Sequence, residues 1–144
     1  MKIEHADGAD YPELIMVWEA SVRATHDFLS EEDIELLRPL ILTHYFDAVE
    51  LRCVRNVQGA ILGFCGVAED NIEMLFVVPE HRGQGVGTAL CRYAIEKLHA
   101  TKVDVNEQNP QALDFYKHMG FRVTGRSSLD GQGKPFPLLH MTLG

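Results

Sequence analysis

The fold of this chain is decided by residues 71–90, NIEMLFVVPEHRGQGVGTAL. The apolar run at residues 74–78 is short and ends at Pro79, and because a proline cannot donate to a central β ladder, we predict a strand that stops there. A glycine-rich turn follows. Beyond this turn, apolar residues recur at helical spacing, at Val86, Ala89, Leu90, Tyr93, Ala94 and Leu98. The stretch therefore predicts a strand, a glycine-rich loop and an amphipathic helix in succession.

The glycine-rich turn is suited to an anion, and above all to a phosphate group. Gly83, Gly85 and Gly87 fall where the helix begins, so no side chains shield the backbone N–H groups there. Successive N–H groups and the helix N-terminus together supply about half a positive charge without a lysine. A purely structural tight turn would use the same glycines, and this alternative stays open.

Two nucleotide-binding motifs fit the turn poorly. A dinucleotide fingerprint, G-x-G-x-x-G, requires a glycine where Thr88 stands, and it belongs to an early unit of a longer parallel sheet. A Walker A loop requires a lysine directly before Thr88, but that position is Gly87. We therefore expect neither motif here.

Length and composition predict one domain over residues 1–144. With 46% hydrophobic residues, a chain of 144 residues can bury one sizeable core. The formal net charge of −8 argues against a nucleic-acid partner. There is no run of roughly 18 apolar residues, so no membrane partner is expected. Cys53, Cys65 and Cys91 are odd in number and far apart, which predicts buried reduced thiols in a cytoplasmic protein rather than disulfides or a metal site.

The N-terminal part is predicted to form a strand at residues 1–6 and two helices. Pro12 lies near the start of the first helix, which runs to about Thr25. Ser30 and Asp33 resemble a capping box that opens the second helix, and Pro39 is expected to kink or split it.

The middle and C-terminal parts are predicted to complete a sheet. Residues 51–57 and 60–68 form a hairpin, and residues 101–105 form a strand parallel to residues 74–78, because a helix separates the two. The remaining predicted elements are a helix at 111–119, capped by Asn109, and strands at 121–126 and 138–143. Altogether we predict a mixed α/β fold with a twisted mixed sheet of about six to seven strands and four helices.

Two motifs carry a family resemblance. The pattern [R/Q]-x-x-G-x-[G/A], formed here by Arg82, Gly85 and Gly87, resembles the acetyl-CoA signature of the GNAT superfamily of N-acetyltransferases. Residues 106–121, NEQNPQALDFYKHMGF, are similar to the N-x-x-A-x-x-[F/L]-Y-x-x-x-G-F element of the same family. Together the motifs and the order of elements cover essentially the whole chain. Residues 24–29 and 133–139 further resemble a small bacterial subgroup, the YjaB type.

The resemblance implies a cleft between two strands that splay apart, into which the pantetheine arm of acetyl-CoA enters. The implied cofactor-binding residues lie on the strand before the glycine loop, on the loop itself and on the helix of the second motif. They are Phe76, Val77, Val78, Arg82, Gly83, Gln84, Gly85, Val86, Gly87, Thr88, Asn109 and Phe115. As an N-cap, Asn109 also has a structural role.

The resemblance also implies catalytic roles. Tyr116 is implied as the general acid that protonates the departing thiolate, and a phenol with a pKa of about 10 is protonated at neutral pH. A backbone N–H of Val77 or Val78 is the expected oxyanion donor. Glu73 is the first candidate for the base, acting directly or through water, and His26 and His140 are further candidates because a histidine titrates near pH 6.5. Trp18, His26, Phe28, Leu29 and His140 are expected to border the acceptor pocket.

The sequence thus predicts an acetyl-CoA-dependent N-acetyltransferase that acts on a small-molecule or protein amine by direct attack in a ternary complex. We expect a monomer or homodimer, without a metal ion. A non-catalytic acyl-CoA-binding or regulatory module of the same fold is the alternative, and transfer of a longer acyl group is a third possibility.

Overall fold

Seven strands and four α-helices form the chain in a computed structural model, which describes residues 1–144. The strands are β1 (Ile3–His5), β2 (Glu50–Arg55), β3 (Ile61–Ala68), β4 (Asn71–Val77), β5 (Lys102–Asn106), β6 (Phe121–Ser127) and β7 (Leu138–Leu143). The helices are α1 (Tyr11–Thr25), α2 (Glu31–Leu40), α3 (Val86–Lys97) and α4 (Pro110–His118). The predicted mixed sheet with four helices is confirmed.

Local sequence signals account for where these helices begin. Ser30 accepts a hydrogen bond from the backbone N–H of Asp33, and the Asp33 carboxylate accepts one from the Ser30 N–H, so the predicted capping box is present. The Asn109 side chain accepts from the Ala112 N–H at 3.2 Å, which confirms it as the N-cap of α4.

Pro39 changes the helix that it interrupts. The α-helical part of α2 ends at Leu40, and a π-helical turn at Ile41–Tyr45 continues the chain. Pro39 has no N–H to donate, so one bond inside the helix is missing, but the Ile41 N–H still donates to the Leu37 and Arg38 carbonyls, and the π-helical turn begins at this residue. The predicted split therefore takes the form of a change in helix type.

The strands form one sheet in the order β1-β2-β3-β4-β5-β7-β6, in which only the β4–β5 pair is parallel. That pair is joined at only two positions, Asn71 with Lys102 and Ile72 with Val103. Beyond them β4 and β5 part. The predicted splay is therefore present, and it divides the sheet into two halves.

The β4 strand starts at Asn71, earlier than the predicted boundary at residue 74. Gly66 pairs with Met74 and Val67 with Ile72, so Glu73 is left without a partner in β3 and forms a β-bulge. The prediction was wrong because polar residues at positions 71 and 73 interrupt the apolar run, although Ile72 is buried.

Two apolar clusters lie on opposite faces of the sheet. One cluster lies beneath α3 and α4 and includes Leu90, Val103 and Tyr116. The other lies beneath α1 and α2 and includes Trp18 and Phe64. On the second face α1 packs on β3 and β4, so β5, β7 and β6 carry no packed helix there. This uncovered face is called the open face below.

Cys53, Cys65 and Cys91 are free and buried, as the sequence predicted. None of the helices combines the length and the apolar character needed to cross a bilayer.

Candidate functional site

The edge of β4 that faces the splay has backbone groups available for a ligand. The Val78 N–H donates to the Leu62 carbonyl of the β3 segment at 2.9 Å. Bonded and non-bonded pairs alternate along an antiparallel ladder, so Phe76 also bonds toward β3, whereas the backbone groups of Leu75 and Val77 point to the other edge. Val77 therefore remains available as the predicted oxyanion donor. Val78 was a wrong choice for that role, because its N–H is already bonded.

A cavity of about 490 Å³ opens at this edge, between β4, α1, the glycine loop and α4. Most of the predicted cofactor-binding residues line it, namely Phe76, Val77, Arg82, Gly83, Gly85, Val86, Gly87, Thr88, Asn109 and Phe115. Two predicted residues do not. Val78 packs with the apolar cluster beneath α1, and the Gln84 side chain is hydrogen-bonded to His81 at 2.9 Å.

The N-terminus of α3 fits a phosphate group. Gly85 is the N-cap residue in a left-handed conformation, with φ of +87°, and no side chain caps the helix. The first backbone bond of the helix runs from the Ala89 N–H to the Gly85 carbonyl, so the N–H groups of Val86, Gly87 and Thr88 precede it and have no helical acceptor. An uncapped helix N-terminus that lines a cavity is a favourable place for an anion.

A glycine at position 87 keeps this cavity open. A Cβ there would lie 3.6 Å from the Val77 Cγ2 and 3.8 Å from the Phe115 ring, so a longer side chain would project into the gap between β4 and α4. The N-terminus of α4 lines the same cavity through Asn109, Gln111 and Ala112. Because the Asn109 cap uses its side-chain oxygen, its amide NH₂ stays free for a second contact.

Tyr116 lies between this cavity and the apolar core. Its side chain is only 7% exposed, and its ring packs against Phe115 and Phe121 with centroids 5.1 Å and 5.7 Å away. Burial raises its pKa strongly, and the neighbouring Cys91 and Cys65 thiols act in the same direction. The phenol is therefore protonated throughout the neutral range.

His26 is held in one tautomer at the α1 side of the cavity. Thr25 Oγ1 donates its only proton to the Ser21 carbonyl at 2.8 Å, so it can only accept from His26 Nδ1 at 2.7 Å. Nδ1 therefore carries the proton and Nε2 keeps a lone pair. Burial and, to a smaller extent, the charge of Arg82 lower the pKa of His26 to about 4, although the charge of Asp27 acts in the opposite direction. At neutral pH His26 accepts hydrogen bonds but is a weak base.

The other predicted acceptor-side residues from α1 and the turn after it are buried or half-buried, and none of them lines the cavity. Trp18 is 4% exposed and belongs to the apolar cluster beneath α1, so it does not border the cavity. Phe28 packs on the His26 ring at 5.3 Å and on the Phe136 ring at 5.6 Å. Leu29 is half-buried against the same cluster as Trp18.

Glu73 lies outside the main cavity, next to Asp104. Val103 belongs to the cluster beneath α3 and α4, so the next residue of β5, Asp104, points to the opposite face. Glu73 lies in the β-bulge, where this alternation is broken, and it lines a surface depression together with Val49, a residue of the cluster beneath α1 and α2. Glu73 is therefore on the same side as Asp104. Partial burial raises the pKa of Glu73, a hydrogen bond from Asn71 lowers it, and the charge of Asp104 raises it again. The net shift is upward, which makes Glu73 a better base than an ordinary carboxylate.

The segment between β6 and β7, residues 128–137, reaches back over the sheet to α2. Lys134 Nζ lies 3.4 Å from the Asp33 carboxylate, and the Gln132 amide donates to the Tyr45 hydroxyl at 2.8 Å. With the Phe28–Phe136 contact, these bonds form an arch at the border of the open face.

Known proteins share the fold of this chain. A family model described as "Acetyltransferase (GNAT) domain" matches residues 31–143. The chain belongs to the GNAT family of acetyltransferases. The family resemblance drawn from the two motifs is thereby confirmed, and so is N-acetyltransferase as the class of enzyme.

Relatives of this GNAT chain include the YjaB type named above. Peptidyl-lysine N-acetyltransferase YjaB of Salmonella typhimurium is 41% identical over 128 residues, which cover 89% of this chain and 88% of the relative. The solution structure of apo YjaB from Escherichia coli has a TM-score of 0.87 at 38% identity, over 98% of this chain and 95% of that one. PaiA N-acetyltransferase from Thermoplasma acidophilum, solved in complex with coenzyme A, shares the fold, with a TM-score of 0.75 at 20% identity over 99% of this chain and 98% of that one.

Some polar residues in and near the cavity of this GNAT chain were not predicted from the sequence. Ser21 and Thr25 line the cavity from α1, and Ser21 is only 3% exposed. The sequence did contain an indication of these two residues, because both are polar residues on the otherwise apolar face of α1. Asp104 had no such signal, because an isolated aspartate in an alternating strand is ordinarily a solvated residue.

Proposed function

We propose that this chain transfers an acetyl group from acetyl-CoA to the side-chain amine of a lysine in a protein. The observation that carries the proposal is the cavity at the splay of β4 and β5, which ends at the uncapped N-terminus of α3. The 41% identical relative named as a peptidyl-lysine N-acetyltransferase supports the acceptor class. We also propose a cytoplasmic location, because free buried thiols are typical of a reducing compartment.

The residues along the cavity suit the parts of acetyl-CoA. We assign the pyrophosphate to the N–H groups of residues 86–88, with Arg82 as an additional positive charge, and the pantetheine arm to the free edge of β4 near Val77. Acetyl-CoA supplies the activated acyl group as a thioester.

Two side chains are proposed to move protons on opposite faces of the sheet. Tyr116, on the α4 side, donates a proton to the departing thiolate, while the Val77 N–H stabilises the oxyanion. Glu73, on the open side, removes the proton of the acceptor ammonium group directly or through water. The amine then attacks the thioester in a ternary complex. His26 is a poorer base than Glu73, because burial and the charge of Arg82 lower its pKa and keep the imidazole neutral.

The test combines binding and turnover. Calorimetry with acetyl-CoA should show a single site, and incubation with a lysine peptide should add one acetyl group, detected by mass spectrometry. The same peptide with arginine in place of lysine is the control, and it should stay unmodified. Binding without transfer to any amine would instead support the non-catalytic acyl-CoA-binding module, and absence of binding at millimolar acetyl-CoA would contradict both.

A further inference from the structure

A row of polar side chains crosses the open face at the level where β4 and β5 part. Glu73 and Asp104 follow the last paired residues of these two strands. Asp104 pairs in register with His140 on β7, so the two side chains share a face. The row continues to Ser127 on β6, which contacts the far side of the His140 ring.

Two short hydrogen bonds fix the protons in this row. His140 Nδ1 lies 2.6 Å from Asp104 Oδ1, and His140 Nε2 lies 2.6 Å from Ser127 Oγ. An ionised carboxylate cannot donate, so Nδ1 must carry the proton and donate it to Asp104. In a neutral ring Nε2 is then the acceptor, and the Ser127 hydroxyl donates to it. Asp104 thus fixes the tautomer of His140, the bond to Ser127 holds the imidazole ring in place, and the ring in turn fixes the orientation of Asp104.

The backbone leaves room for this arrangement. His140 faces Gly125 across the β6–β7 pair, at a register shift between Val123 and Gly125. A Cβ at position 125 would already touch the His140 ring, 3.6 Å from its Cδ2, so a larger residue there would displace the imidazole. The nearby Arg126 is bonded to Glu107.

The second oxygen of Asp104 remains free. His140 occupies only Oδ1, and the Asp104 side chain is 42% exposed on the face opposite Tyr116. Glu73 and Asp104 lie where β4 and β5 part, on the face opposite the proposed acid. Two neighbouring carboxylates at this point suit an acceptor that carries a cation.

We propose that Asp104 is a positioning residue that holds the acceptor ammonium group beside Glu73, with His140 and Ser127 keeping its carboxylate in place. This rests on the proposed function. Asp104 acts in ground-state binding, and the removal of the ammonium proton stays with Glu73. The role selects for amines that are cationic at neutral pH.

The substitution Asp104→Asn tests this role, because it keeps the shape of the side chain and removes its charge. We expect the KM for a lysine peptide to rise about tenfold, the size expected for one hydrogen bond to a charged group, with little change in kcat or in the KM for acetyl-CoA. An acceptor that is neutral at pH 7, such as an acyl hydrazide, should be acetylated by the variant and the parent protein equally well. Thr142→Val, on the same face of β7, is the control and should change neither acceptor.

Substitutions of Ser127 separate positioning from a general structural effect. Ser127→Ala should raise the KM for the lysine peptide, and Ser127→Thr, which keeps the hydroxyl, should restore it. If Asp104→Asn weakens the use of lysine and hydrazide acceptors equally, or leaves lysine unaffected, the role of Asp104 is wrong while the acetyltransferase proposal stands. If the unsubstituted protein acetylates neither acceptor, the proposed function itself fails.

Discussion

Tyr116 has an environment that favours one direction of proton transfer. The phenol is enclosed by aromatic rings and by thiols that are themselves neutral, so no neighbouring base competes for its proton. Because its pKa is raised, Tyr116 does not readily lose its proton to water. A thiolate that forms in the same enclosed space is a strong base there for the same reason, because burial disfavours its charge too.

We predict that Tyr116→Phe lowers kcat by at least about tenfold, since general acid catalysis contributes roughly 10²–10⁴ in rate. The affinity for acetyl-CoA should stay within about twofold, because the ring that lines the cavity is kept. Steady-state kinetics and calorimetry measure the two quantities. Tyr93→Phe, on α3 and outside the cavity, should leave kcat unchanged. An unchanged rate in the Tyr116 variant would remove this residue as the acid.

His26 provides a prediction about pH and stability. Its pKa is lowered to about 4 in the folded protein, against about 6.5 in the unfolded chain. Between these values the unfolded chain binds the proton and the folded protein does not, so the free energy of unfolding falls as the pH drops from about 6.5 to about 4. Above pH 6.5 this contribution to the pH dependence is absent.

Urea unfolding at pH 7 and pH 5 checks this expectation. His26→Gln should lose less stability between the two pH values than the unsubstituted protein, by roughly 1 to 2 kcal/mol. An equal loss in both proteins would show that His26 is not kept neutral by the fold.

At the residue scale, motif residues were predictable and their partners were not. Tyr116 and Gly85 stand in patterns of defined spacing, which sequence alone displays. Trp18 was assigned to the acceptor pocket and lies in the core, because position along a helix does not reveal how far α1 is rotated. The bonds of His140 depend on register between β5, β7 and β6, and no local pattern encodes that register.

At the scale of elements, the contact between β3 and α3 holds the glycine loop in place. A Cβ at Gly63 would lie 2.8 Å from the Val86 Cγ1 and 3.0 Å from the Phe76 carbonyl oxygen. The first residue of α3 therefore rests directly on the sheet. This close approach aims the helix N-terminus at the cavity beside β4.

We predict that Gly85→Val abolishes measurable acetyl-CoA binding. Valine is strained at a φ of +87°, at a cost of about 1–2 kcal/mol, and its side chain would disturb the N–H groups that follow. Calorimetry gives the affinity, and circular dichroism shows whether the helices persist. Gly8→Ala is the control, since a Cβ there meets nothing within 4 Å. Retained affinity in a folded Gly85 variant would mean that the pyrophosphate lies elsewhere.

Element order was predictable because apolar periodicity, caps and glycine turns agree along the chain. Each of the seven strands and four helices was expected, and Ser30 and Asn109 marked two helix starts correctly. The bulge at Glu73 was not foreseeable. It arises from how β3 and β4 pair, and a polar residue inside a strand gives no separate sign of it.

At the scale of the whole molecule, the two halves of the sheet meet at only two register positions between β4 and β5. A ligand that lies in the splay would contact β4 and α3 of one half and α4 of the other. Binding would therefore add contacts across the weakest junction of the sheet. The family resemblance predicted that β4 and β5 separate. How far the cleft between them extends depends on the residue at which their pairing stops.

Acetyl-CoA at about 100 times its dissociation constant should stabilise the folded protein by about 2.7 kcal/mol. For a chain of this length, that corresponds to a rise in Tm of roughly 5–10 °C. Differential scanning calorimetry measures the shift. The Gly85→Val variant should show no shift at the same ligand concentration, and an equal shift in both proteins would contradict binding at the α3 N-terminus.

The burial of the three cysteines determines how the reaction can be observed. Cys53, Cys65 and Cys91 are 0% exposed, and burial raises the pKa of Cys65 and Cys91 to about 12, so the native protein offers a sulfhydryl dye almost no reactive thiolate. The colour that develops during turnover would then come from the released coenzyme, and the rate can be read continuously without background from the catalyst. The same dye also reports unfolding, because each chain that unfolds exposes its three buried sulfhydryl groups to the dye.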